Sequence, residues 1–235
     1  MPPTLLVSDD VRMTELPPLD VLVSTRDSLH QVAEHVLAAA RKTWTGQIGL
    51  RPTPGGFSTP DSAGRVVAVV GTDIVVIDAD GVRRAPITTV RAGADLVGIA
   101  PGFPWTKHAP ATPLEPDTVL TVDPAAARVL ADWFALGDDA LSRLRELAAG
   151  DQPTEAQIFP EHFDLGMTAA EVNYGASPGD EAIPLPYVYV GPYAGPPARD
   201  DFWNADFGAY RTIEDIATAE SAQAFFVEGR DLLRS

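Results

Sequence analysis

The order of hydrophobic periods along the chain predicts an α+β protein, an antiparallel sheet built from a meander and C-terminal strands and packed with about four helices. Three observations carry this. A helical repeat early in the chain gives way after Gly46 to a tract of period-two segments; helical spacing returns at Asp123; and a second strand-like tract leads into a final helix. Helices and strands are thus grouped rather than alternating, which points away from βαβ units and a parallel sheet. The 235 residues are 45% hydrophobic, enough to build one large core.

Residues 1–24 carry Pro2-Pro3 and Pro17-Pro18 and no sustained period, so they read as an extended arm with at most a short strand near Val21 to Val23. From residue 25 to 235 a single globular domain is expected. Leu29, Val32, Ala33, Val36, Leu37, Ala40 and Trp44 recur at helical spacing, with Ser24 or Thr25 as cap and Gly46 as stop. On this helix Arg26, His30, Glu34, His35 and Lys42 read as a solvent-facing polar side. Then GQIGLRP, RVVAVV, DIVVIDA, APITTV and DLVGIA read as short strands, turning at Gly71-Thr72 and Asp80-Gly81. Five prolines in residues 101–118 mark a covering loop or an internal boundary.

Asp123-Pro124 is a helix start, an N-cap followed by proline at the first helical position. Two short helices are expected, the first presenting Val129, Leu130, Trp133, Phe134 and Leu136, the second starting near Asp138 and ending at Gly150. Strand patterns follow from Ala156 to Met167, Glu171 to Tyr174, Leu185 to Val190 and Phe207 to Arg211, before a last helix with Ala222, Phe225, Phe226, Gly229, Leu232 and Leu233 inward.

Composition excludes several functions. With 33 acidic against 17 basic residues the net charge is -16, which repels nucleic-acid phosphates and anionic lipid surfaces. Neither nucleic acid nor membrane is an expected partner. The absence of cysteine removes disulfides, thiolate chemistry and iron–sulfur ligation. There is no signal-peptide pattern at the start and no apolar run of about 20 residues, so a soluble, cytoplasmic protein is the expectation. Arginine far outnumbers lysine among abundant Ala, Gly, Pro and Asp, the composition of a GC-rich bacterial genome. No GxGxxG, P-loop or GxSxG fingerprint occurs, so no organic cofactor is implied.

What remains lies between residues 158 and 210, where all five tyrosines fall. If Glu161-His162-Phe163-Asp164 is extended, His162 and Asp164 emerge on one face about 7 Å apart along the pleat, with Glu161 on the other. His162, Asp164, Glu161 and, from the proline-rich loop, His108 are then candidate ligands for a divalent metal. Further on, Tyr187 and Tyr189 share one face of a strand and, with Trp203 and Asn204, could shelve a flat polar ligand or form a homodimer contact. The surrounding acidic residues are acceptors only, so such a ligand is hydroxylated or cationic rather than acidic.

The segments WTGQIGL (44–50), DPAAARVLADWF (123–134) and IFPEHFDL (158–165) resemble a bacterial family of domains of unknown function, over roughly residues 40–170 and chiefly through His162 to Leu165. The resemblance implies a self-contained domain and no particular activity. The leading expectation is therefore a non-enzymatic ligand-binding or interaction domain using the 158–210 surface. A metal-dependent enzyme centred on His162 and Asp164 and a homodimer with an aromatic interface are the alternatives.

Overall fold

The computed structural model describes residues 16–102 and 110–234. The fold is α+β with antiparallel pairing throughout, and it has two five-stranded sheets rather than one. The first helical rod comprises α1 (Leu19–Val32), a π-helical segment (Ala33–Ala38) and α2 (Ala39–Thr45). Strands β1 (Arg51–Thr53), β2 (Gly56–Ser58), β3 (Val66–Val70), β4 (Asp73–Asp78) and β5 (Gly81–Pro86) form the first sheet in sequence order, followed by α3 (Val90–Val97). Then come α4 (Pro124–Leu147), β6 (Gln157–Phe159), β7 (Asp164–Ala169), β8 (Val172–Ser177), β9 (Tyr187–Pro192), β10 (Ala209–Thr212) and α5 (Ala219–Leu232). Each half is thus a helix, a five-stranded meander and a helix. Reciprocal hydrogen bonds of 2.8 Å between Leu50 and Ile158 join the halves, β1 edge beside β6 edge.

The first helix starts six residues earlier than its periodicity suggests. Pro18 serves as N-cap, its carbonyl accepting from Val21 and Leu22, so residues 19–24 are helical and not an arm or strand; residues 1–15 lie outside the described residues. Thr25 is no cap. It is buried, and its hydroxyl accepts the Asp123 backbone N–H at 3.0 Å while the Ser28 hydroxyl accepts that of Thr121 at 3.1 Å, which ties α1 to the entry of α4. At that entry the expected cap is present: Asp123 accepts from Ala125 and Ala126 at 2.9 Å ahead of Pro124.

The expected helix pair is one continuous helix of 24 residues. Gly137, in its middle, is where α4 crosses β8: a Cβ there would lie 2.5 Å from that of Ala176. The glycine permits close packing instead of ending the helix, and its propensity cost of about 1 kcal/mol is outweighed by tertiary contact. Leu130, Trp133, Phe134, Leu141 and Leu144 of α4 are buried in a continuous core reaching from Leu22 to Phe226. Conversely, APITTV and DLVGIA do not form strands beyond Pro86. Thr89 caps α3 by accepting from Ala92, and the helix lays Gly93 against Ile74 and Val36. Among the described residues no helix is long and apolar enough to cross a membrane.

The polar residues expected to face solvent on the first helix are largely buried. Glu34 and His35 sit within the π-helical segment, and the Glu34 carboxylate accepts from the backbone N–H of Ala111 (2.8 Å) and Thr112 (2.9 Å) and from the Thr112 hydroxyl (2.6 Å). The His35 carbonyl accepts from Gly102. A widened helical turn presents side chains off the usual stripe, as π-bulges do. Here it holds the proline-rich connection at Gly102 and again at Ala111 and Thr112.

Candidate functional site

The chemistry of this chain gathers on the outer face of the second sheet. Register sets that face: Asp164, Gly166 and Thr168 on β7, Asn173, Gly175 and Ser177 on β8, Tyr187 and Tyr189 on β9 and Tyr210 on β10 point away from the core. Val188 and Val190 point into it, so the shared face expected of Tyr187 and Tyr189 is present. A cleft of about 580 Å³ opens there, lined among others by His162, Asp164, Asp180, Tyr187, Tyr189 and Phe207.

Two strand glycines lie beneath the Tyr189 ring that lines the cleft. Gly166 and Gly175 are directly paired, and a Cβ on Gly175 would come within 2.5 Å of the Tyr189 ring and of the Leu165 carbonyl. Their bareness lets the Tyr189 ring lie across β8 and donate its hydroxyl to Asp164 Oδ2 on β7. Tyr187 donates to Asp180 Oδ2 at 2.6 Å, and Asp180 Oδ1 in turn accepts from Ala182 and Ile183. Tyr187 and Tyr189 stand 6.1 Å apart, with Tyr210 edge-on to the first and Phe207 edge-on to the second.

Residues 160–163 are not extended. They form the β6–β7 hairpin loop, closed by Phe163 at φ +53°, with Phe159 accepting from the N–H of both His162 and Phe163. A non-glycine residue there costs about 1–2 kcal/mol. The buried ring more than offsets it: Phe163 packs edge-on to Phe57 (5.3 Å) and Phe134 (5.5 Å) and stacks on His30 (5.2 Å). Burial of a Phe side chain contributes about 1.5–3 kcal/mol, and each aromatic pair about 0.5–1.5 kcal/mol more. His30, whose Nε2–H reaches the Pro160 carbonyl at 2.9 Å, is held below its ordinary pKa chiefly by burial.

The premise of a common pleat therefore fails, yet His162 and Asp164 still line the same cleft, His162 exposed on the loop and Asp164 at the start of β7. Burial raises the Asp164 pKa; the Tyr189 hydrogen bond and nearby His162 pull it down, while Glu161 pushes it up. Asp164 Oδ1 is buried with no partner among the described residues, as is Glu161 Oε2. Tyr189 and Tyr187 are both raised above the usual phenol range, burial being the first cause, followed for Tyr189 by the charge of Asp164 and for Tyr187 by its bond to Asp180. Both are hydrogen-bond donors at neutral pH, not phenolate nucleophiles.

Other expected site residues go elsewhere. Trp203 is buried in the core, edge-on to Phe202 at 4.8 Å. Asn204 pairs its side chain with the backbone N–H (3.0 Å) and carbonyl (3.3 Å) of Tyr210, a structural clasp outside the cleft. No three His, Asp or Glu side chains among the described residues, Glu161, His162 and Asp164 included, converge to hold a metal ion, and His108 lies outside the described residues. Sequence reasoning missed Asp180, Ser177 and Phe207 and the glycine pair under the Tyr189 ring. Interior strand glycines at Gly166 and Gly175 were the available signal, since a missing side chain on a strand marks close approach by another group.

The fold and cleft define an α+β protein of two linked antiparallel meanders with a tyrosine-walled cleft on one of them. Compared with known proteins, the chain matches no family model, no curated protein and no solved structure.

Proposed function

We propose that this protein is a non-enzymatic binding domain that receives a small polar ligand in the cleft over β7–β10. The observation that carries this reading is Asp164, which lines the cleft: one carboxylate oxygen is fixed by Tyr189 and the other is buried without a partner among the described residues. A buried unpaired acceptor or donor costs about 1–3 kcal/mol, a deficit that an incoming ligand group removes. The cleft volume of about 580 Å³ is in the range of small-molecule sites, and its walls combine aromatic surface with a few directed polar groups. Tyr193 and Phe207, 62% and 43% exposed, frame the mouth.

The test is a titration of the full chain with a panel of small hydroxylated and cationic compounds, followed through backbone amide resonances. Binding is expected to move the signals of residues 162–168, 173–180, 187–195 and 206–207 together. Shifts confined to the first sheet, or none with any compound, would end this reading.

A further inference from the structure

We infer that the ligand engages the cleft through a cationic nitrogen, an ammonium or guanidinium group seated against Asp164 Oδ1 and the tyrosine faces. This rests on the binding reading above and narrows its chemical class. Among the described residues, those lining the cleft include Asp164, Asp180 and Asp206 but no lysine or arginine, and His162 is their one basic side chain. The three carboxylates are not equally open. Asp180 already accepts from Tyr187, Ala182 and Ile183, and fully exposed Asp206 is paired with Arg199 at 3.2 Å. Of these three, only Asp164 keeps a buried oxygen without a partner among the described residues.

The walls favour the same charge. Tyr187, Tyr189 and Phe207 line the cleft together with Asp164, and ring faces attract cations within about 6 Å of the centroid. The chain as a whole, at -16, draws cations toward the mouth and disfavours anionic ligands. A neutral hydroxyl could donate to Oδ1 as well, but it gains nothing from this excess of negative charge. A cation also favours the charged form of Asp164 that burial opposes, adding to the pull of nearby His162.

The experiment is calorimetric titration of the full chain with agmatine and choline as cationic probes and with glucose and myo-inositol as neutral ones, at low and at physiological ionic strength. A cationic probe is expected to bind, to bind more weakly as salt rises, and to lose about tenfold or more in affinity in Asp164→Asn, the loss of a charge-assisted contact. Binding of a neutral polyol in the cleft, unaffected by salt and equal in Asp164→Asn, with no cationic binding, would overturn the cation inference and leave the cleft as a ligand site. If neither class binds, both readings fall. Should Asp164→Asn fold poorly, the salt dependence of the unaltered chain decides: weakening of cation binding with salt supports the inference, and salt-independent binding refutes it.

Discussion

On the outer face of the first sheet, Val66, Ala68, Val75, Ile77 and Val82 stand in register beside an Asp73–Arg84 ion pair; the corresponding face of the second sheet carries Asp164, Asn173, Ser177, Tyr187 and Tyr189. Both sheets are five-stranded meanders flanked by helices, so topology does not account for the difference. In the first sheet the charges meet at the surface, with Arg84 56% exposed, and such pairs contribute about 0–1 kcal/mol. In the second, paired glycines let a tyrosine ring bury a carboxyl group, and the same types of atoms acquire shifted pKa values and an unmet hydrogen bond. The lesson is that side-chain absence at two positions lets the Tyr189 ring reach across β8 to Asp164. Catalogues of reactive residues overlook this kind of signal.

The largest effect should come from removing that difference. Gly175→Val puts a branched side chain where even a Cβ meets the Leu165 carbonyl and the Tyr189 ring at 2.5 Å, and is expected to destabilise by about 3 kcal/mol or more in urea unfolding. An unchanged midpoint would show that the bare position beneath the Tyr189 ring is dispensable.

Next in size is Glu34→Ala, outside both outer faces. It leaves the N–H groups of Ala111 and Thr112 and the Thr112 hydroxyl without their acceptor, and about 3 kcal/mol of stability should be lost. Increased proteolytic cleavage in the 101–118 connection would accompany it, and an intact connection in limited proteolysis would show that the clasp is not needed to hold it.

The smallest and most discriminating effect concerns pH. Burial raises the Asp164 pKa in the folded state, so its contribution to stability is fully present below the unfolded carboxylate pKa and is lost as pH rises through the higher folded value. Relative to the unaltered chain, Asp164→Asn should therefore gain in Tm as pH is raised from about 4 toward neutrality. Arg84→Ala, the matched change on the first sheet, should shift stability by less than about 1 kcal/mol. A flat pH response in the Asp164→Asn comparison would place that carboxyl in an ordinary aqueous environment.

The fold class was legible because period-two and period-3.6 patterns are local: β3, β4, β9 and α5 lie where their patterns place them. Errors came where local rules met tertiary contact. The helix split expected near Asp138 is absent because Gly137 is a packing notch within one helix, Pro18 reads as part of an arm but caps α1, and the short apolar run around α3 fits a strand as well as a helix. At the site, His162 with Asp164 and Tyr187 with Tyr189 read as two separate candidates, yet they line one cleft; Phe163 in a left-handed conformation turns the chain that alternation would have kept straight. Trp203 was drawn inward by its large apolar surface, and Asn204 spends its hydrogen bonds on backbone.

By itself the sequence determined the grouping of helices and strands, the outward pairing of two tyrosines and the acidity of the surface, since each follows from residue type at short spacing. Tertiary structure decided which polar groups leave water. Glu34, sited on what reads as a wet helix face, is buried by a π-helical turn and a distant loop, and Asp164 by a tyrosine two strands away crossing a glycine. Desolvation depends on what approaches from elsewhere in the chain, and no local pattern encodes that approach.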